Sequence, residues 1–184
     1  MKSLPLAVAA VFAAVLSCVP CDAYAQRDRV LVELNSFEEV PAVSSTAAGT
    51  FAATIDSDAN SITYELAYSG LTGEVRQAHI HFGQRSVNGG ISVFLCQTTQ
   101  NPDSTGRAPT CPSPSGRVTG VLTSANIIGP GGQGIAATEM GELIDAIRAQ
   151  VAYVNVHTTT YAGGEIRGQF DGRSLGRGGR PEID

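Results

Sequence analysis

Three histidines are the only imidazoles in the chain, and two of them stand in Ala78-His79-Ile80-His81. On an extended segment side chains alternate between faces, so His79 and His81 leave one side while Ala78 and Ile80 leave the other. The third closes Tyr153-Val154-Asn155-Val156-His157, where the valines share one face and Tyr153, Asn155 and His157 share the opposite one. The segment that follows, Glu165-Ile166-Arg167-Gly168-Gln169-Phe170, divides the same way, with Glu165, Arg167 and Gln169 set apart from Ile166 and Phe170. A hairpin turning through Ala162-Gly163-Gly164 sets these polar rows side by side. If the His-x-His strand adjoins that hairpin, three neutral imidazoles can hold one copper or zinc ion and leave a position open. Glu165 or Asn155 would then orient a ring from behind. The alternative is a hydrogen-bonded polar cluster in which a Glu165 to Arg167 pairing fixes strand register. In both readings the polar rows turn away from the main apolar layer, towards the exterior.

No catalytic residue is assigned. Glu33, Glu38, Glu39, Asp56 and Asp58 form a glycosidase carboxylate pair only if the fold brings two of them to the required separation, and strand ends and turns are their ordinary place. Gly129-Pro130-Gly131-Gly132-Gln133-Gly134 is not followed by the Gly-Lys-Ser/Thr of a phosphate loop and reads as a flexible connection. Lys+Arg number 12 against 17 Asp+Glu, and Lys2 is the only lysine, so the chain has no basic field to hold a nucleic acid backbone.

The elements that must position the histidines read as short strands. Val30 to Leu34 is β-branched and apolar, and Phe51, Ala53 and Ile55 alternate with Ala52, Thr54 and Asp56. Asp56-Ser57-Asp58-Ala59-Asn60 is turn chemistry, after which Ile62, Tyr64, Leu66 and Tyr68 resume period two, predicting a β-hairpin. Further strands are expected over Val75 to Phe82, Ile91 to Gln97, Arg117 to Thr123, Ala152 to Thr159 and Glu165 to Phe170. Met140, Leu143, Ile144 and Ile147 break the pattern at helical spacing and predict one helix from about Glu139 to Gln150, with Thr138 as its N-cap. The fold class expected is all-β: an antiparallel, Greek-key-like β-sandwich or barrel with one short helix.

Met1 and Lys2 precede an apolar run from Leu4 to Leu16 and then Ala23-Tyr24-Ala25, the layout of a secretory signal cleaved after Ala25. The run is too short to span a bilayer, which needs roughly 20 apolar residues, so no transmembrane anchor is expected after cleavage. The domain then extends over residues 26–171, followed by a flexible Gly- and Arg-rich tail over 172–184. Cys18 and Cys21 leave with the signal, and Cys96 and Cys111 remain to pair in an oxidising compartment, the periplasm or the exterior. Lipidation at Cys18, in Val15-Leu16-Ser17-Cys18, is the alternative fate of that segment.

Several of these motifs occur together in one order: Ala78-His79-Ile80-His81-Phe82-Gly83, Asn88-Gly89-Gly90, Tyr153-Val154-Asn155-Val156-His157-Thr158 and Gly164-Glu165-Ile166-Arg167-Gly168-Gln169. With Glu39-Val40-Pro41-Ala42-Val43 and the strand opening at Gly49, they resemble the CHRD domain, named after chordin, over roughly Val30 to Asp171. The resemblance implies an extracytoplasmic β-rich module and leaves its molecular activity undefined; the function expected here is a non-enzymatic binding or structural unit. Its partner, an extracytoplasmic ligand or protein, is left undefined. The His-x-His strand and the later Val-x-His strand are also similar to those of copper/zinc superoxide dismutases. There His79, His81 and His157 match three copper-ligand positions, and Arg167 compares with a substrate-guiding arginine. No histidine remains to bridge to a zinc ion.

Overall fold

The computed structural model describes residues 27–172 and the backbone of residues 175–177. The signal segment lies outside the described residues, as does most of the tail. Among the described residues there are nine strands and one α-helix: β1 (Arg27–Asn35), β2 (Ala48–Asp56), β3 (Ser61–Ser69), β4 (Val75–Phe82), β5 (Gly90–Cys96), β6 (Gly116–Leu122), α1 (Met140–Arg148), β7 (Ala152–Thr158), β8 (Ile166–Gln169) and β9 (Leu175–Arg177).

Hydrophobic alternation builds the first half of the sheet. In β1, Val30, Val32 and Leu34 are buried while Arg29, Leu31 and Glu33 are exposed, and β2 and β3 repeat this with Phe51, Ile55, Ile62, Tyr64, Leu66 and Tyr68 inward. β2 and β3 pair through the predicted hairpin, with Asp56 opposite Ser61. The Asp56 carboxylate accepts from the Ala59 amide, and Asn60 takes a left-handed conformation, as a tight turn demands.

The strands run in the order β5-β4-β7-β8-β1-β2-β3-β6, every pairing antiparallel, and curl into a nearly closed barrel-like sheet. Polar contacts bridge the seam. The Tyr64 hydroxyl of β3 donates to the Leu95 carbonyl of β5 at 2.5 Å, and that of Tyr68 donates to the Pro112 carbonyl at 2.6 Å. Cys96, at the end of β5, is joined by a disulfide to Cys111, fifteen residues on. Asp103 orders the loop between them by accepting from the amides of Thr105, Arg107 and Ala108.

The helix forms where the spacing places it, but it begins and ends inside the expected range. Thr138 is not its cap: it adopts a left-handed φ of 73°, and the cap position falls on Glu139, whose carboxylate turns back to the Ala136 amide. A nine-residue helix is marginal by itself. Burial of Met140, Leu143, Ile144 and Ile147, each contributing about 1.5–3 kcal/mol, holds it against the core.

Within the tail, Leu175–Arg177 departs from the expectation of no fixed structure, because it pairs with Asp28, Arg29 and Val30 of β1. β8 meets β1 only at Asn35, leaving the start of that strand edge unpaired, and unpaired backbone groups attract a further strand. Among the described residues no helix is long and apolar enough to cross a membrane.

Candidate functional site

The register of β4 against β7 brings the histidines together. Gln77 stands opposite His157, His79 opposite Asn155 and His81 opposite Tyr153, so the His-x-His strand does adjoin the hairpin. On the far side of β7, Tyr153 faces Gln169 and Asn155 faces Arg167. Ala78, Ile80, Val154 and Val156 point into the apolar core, as their alternation requires. Two register shifts in the β4–β5 ladder, on either side of Ile80, set His79 opposite Phe94 and His81 opposite Ile91.

The polar rows are not on the exterior. His79 is 0% exposed, His81 7% and His157 6%, and all of β7 and β8 is buried. Alternation reports which face a side chain takes but is blind to loops that later cover that face. Here the segment from Glu39 to Ser45, the loop from Gly83 to Gly89 and the loop from Thr159 to Gly164 fold over it, each held by hydrogen bonds to the polar rows.

Two of those loops orient the imidazoles. His81 Nδ1 lies 3.0 Å from the Gly89 carbonyl, and His157 Nδ1 lies 3.0 Å from the Ala162 carbonyl. A carbonyl only accepts, so both rings carry their proton on Nδ1 and present a bare Nε2. His79 Nδ1 lies 3.1 Å from His157 Nε2. The Nε2 atoms of His79 and His81 are buried without any hydrogen-bond partner. One nitrogen from each ring falls within 4.8 Å of the others. Two imidazoles on a single ion at about 2.0–2.1 Å place their nitrogens roughly 3–3.5 Å apart, so one pair is already at ligand spacing and the third is about an ångström wide of it.

Aromatic rings wall the cluster. Phe94 meets His79 edge to face at 4.3 Å between centroids, and Tyr153 stacks on His81 at 4.8 Å with 3° between planes. The Arg167 guanidinium covers the other face of Tyr153, 3.4 Å from its centroid. Burial disfavours the imidazolium form, and the neighbouring rings and guanidinium oppose it further. His81 is pulled down to about 3 and His157 to about 4, while His79 is lowered furthest.

The residues expected to support the histidines take other roles. Glu165 hydrogen-bonds to neither a histidine nor Arg167; its carboxylate accepts from the Ser45 hydroxyl, the Thr72 amide and the Thr158 hydroxyl, all at 2.8 Å. Asn155 donates to Glu39 Oε1 at 2.6 Å and to the Ile166 carbonyl. Arg167 is 1% exposed and donates to the carbonyls of Gln84 and Val87 and to the side chains of Asn88 and Gln169. Enclosed in that way, it pins the loop over the histidines and cannot guide a substrate in solution.

The partners that matter were hidden from sequence because they are backbone carbonyls. Only Asn88-Gly89-Gly90 carried a signal: a Cβ at Gly89 would fall 1.7 Å from the Phe82 carbonyl oxygen, so no other residue lets this loop approach His81. Glu39 is the other omission, a buried carboxyl pushed up to about 7 by desolvation against the pull of Asn155 and Arg167. Gly172-Arg173-Ser174-Leu175-Gly176 has the letters of a serine-hydrolase elbow, and its last two residues, Leu175 and Gly176, belong to β9. A concavity of about 850 Å³ is an open trough on the outer face of β1, β2, β3 and β6 that contains none of the histidines.

No curated protein and no solved structure matches the chain. The CHRD domain family matches residues 30–170, a span that contains all three histidines, both loops that orient them and the disulfide, and the chain therefore belongs to the CHRD domain family.

Proposed function

We propose that this CHRD domain is an exported, non-enzymatic module that binds a single transition-metal ion, copper or zinc, through His79, His81 and His157. The orientation of the imidazoles carries the reading. Backbone carbonyls fix the protons of His81 and His157 on Nδ1, and the bare Nε2 atoms turn into a buried space where the protein offers them no donor except His79. Buried polar atoms without partners are uncommon in native proteins, and lone pairs from several imidazoles converging on one point are what a metal ion requires. The disulfide and the extracytoplasmic character of the family support export, to the periplasm or beyond the cell.

A second reading rests on the 3.1 Å approach of His79 Nδ1 to His157 Nε2, which is also a good hydrogen bond. In that case the cluster only joins β4 to β7. Metal analysis of the purified mature chain, with copper and zinc titrations beside a His157→Ala variant, separates the two. Stoichiometric uptake lost in a folded variant supports the metal site, equal uptake by both chains rejects it, and loss of folding without any uptake by the parent supports the structural cluster.

A further inference from the structure

Resting on the metal reading, we infer that the three-histidine cluster selects monovalent copper over divalent copper and zinc. Ligand number and charge both point there. The cluster offers three neutral nitrogens, and among the described residues no carboxylate or thiolate joins them within ligand reach. Zinc and divalent copper add at least a fourth donor, such as water, to three imidazoles and so must bring it into this buried space, whereas three suffice for a trigonal cuprous ion.

The charges nearest the rings act in the same direction. Arg167 lies over Tyr153, which stacks on His81, and Arg76 is the chain neighbour of Gln77, which stands opposite His157 in the β4–β7 register, so a cation stands on the side of each of these rings. Arg76 is fixed there by a 2.8 Å hydrogen bond to Asn101. The carboxylate of Glu165 is taken up by Ser45, Thr72 and Thr158, and that of Glu39 accepts from Asn155, so neither hydrogen-bonds to an imidazole. Moving an ion into a buried site costs desolvation energy that rises with the square of its charge, and repulsion from a fixed cation rises in proportion to that charge. A divalent ion therefore loses more than a monovalent one, and no ligand charge compensates it.

The test uses the full mature chain under anaerobic conditions. Cuprous affinity is measured by competition with a chromophoric cuprous chelator, zinc and cupric affinities by competition with chelators of known strength. The expected result is one cuprous ion per chain, bound on the order of 1,000-fold more tightly than zinc, and a reduction potential for the bound copper raised by about 59 mV for each tenfold preference over the cupric ion. Zinc or cupric copper bound as tightly as cuprous copper, and lost with His157→Ala, would overturn the cuprous preference while leaving the metal site standing. Absence of any stoichiometric metal would overturn both. Arg76→Gln tests the charge argument without touching a ligand. It should raise zinc affinity by about the square of the factor by which it raises cuprous affinity, since the repulsion removed doubles with ionic charge. Equal factors would refute the electrostatic basis.

Discussion

Acidification of the metal-free protein should weaken it through the histidines well before the depressed carboxylates of Glu165 and Asp103 titrate. The chain has only three histidines, and all three are buried in the neutral form. Each titrates near 6.5 when unfolded, while in the fold His81 is lowered to about 3, His157 to about 4 and His79 furthest of all. The folded state thus binds fewer protons than the unfolded one below 6.5, and the stability these groups contribute at neutral pH is lost as pH falls. Between about pH 7.5 and about pH 5.5 each imidazole forfeits about 1.4 kcal/mol, about 4 kcal/mol for the three. Glu39 acts the other way. Its folded value of about 7 against an ordinary 4.5 means that keeping it buried is costly at high pH, and that cost declines on acidification. Over the same interval Glu39 returns about 2 kcal/mol, leaving a net loss of about 2 kcal/mol. Glu165 and Asp103 are held below their ordinary values of 4.5 and 3.8, so their stabilisation is lost only at lower pH. Urea denaturation with a chelator present, at fixed ionic strength and with the disulfide intact, measures the difference. Glu39→Gln keeps an acceptor for Asn155 and removes the opposing titration, so its loss over this interval should grow to about 4 kcal/mol. Unchanged or rising stability of the parent at the lower pH would refute the burial of neutral imidazoles. An identical slope in Glu39→Gln would refute the raised carboxyl.

Three other perturbations test the parts that hold the site. Replacing both Cys96 and Cys111 by Ala frees a fifteen-residue loop and should cost about 3 kcal/mol in denaturation, with new proteolytic cleavage between Gln97 and Thr110. Arg167→Ala leaves the carbonyls of Gln84 and Val87 without their buried donor and should cost about 3–5 kcal/mol, with no recovery in Arg167→Lys, whose ammonium cannot reproduce the fork or lie flat on Tyr153. Full stability of the lysine variant would show that only charge matters there. Gly89→Ala forces the loop away from Phe82 and with it the carbonyl that orients His81, so metal affinity should fall about 10–100-fold in a chain whose far-ultraviolet circular dichroism is unchanged.

The strands and the helix were legible because burial imposes a period on sequence. Val30, Val32 and Leu34 alternate with charged or exposed neighbours, and Met140, Leu143, Ile144 and Ile147 recur at one helical face. The same alternation placed His79, His81 and His157 on one side of the sheet, and the register of β4 on β7 supplied the adjacency that sequence left open. What covers that side was not legible. Loops such as Gly83 to Gly89 are positioned by Arg167, Asn155 and Gln169 across long sequence separations, and a hydrogen bond to a backbone carbonyl leaves no mark on residue type. For the same reason the expected partners of the imidazoles were side chains, Glu165 and Asn155, when the actual ones are the carbonyls of Gly89 and Ala162.

The distribution of satisfied and unsatisfied groups on this covered face separates scaffold from site. Glu165, Asn155, Arg167 and Gln169 are all buried, and each makes two or more hydrogen bonds, at least one of them to a loop that covers the sheet. Leaving any of them half-paired would cost about 1–3 kcal/mol per group, so their saturation is what a stable covering layer demands. The histidines lie inside the same layer, yet the buried side-chain atoms left without a partner among the described residues are two imidazole nitrogens and the Ser92 hydroxyl. An apolar residue at position 79 or 81 would remove the orphaned nitrogen but leave His157 Nε2 or the Gly89 carbonyl without its donor. Imidazoles held there by backbone carbonyls at Nδ1 of His81 and His157, with nitrogens left unpartnered among otherwise saturated neighbours, are the feature that the proposed ion would account for.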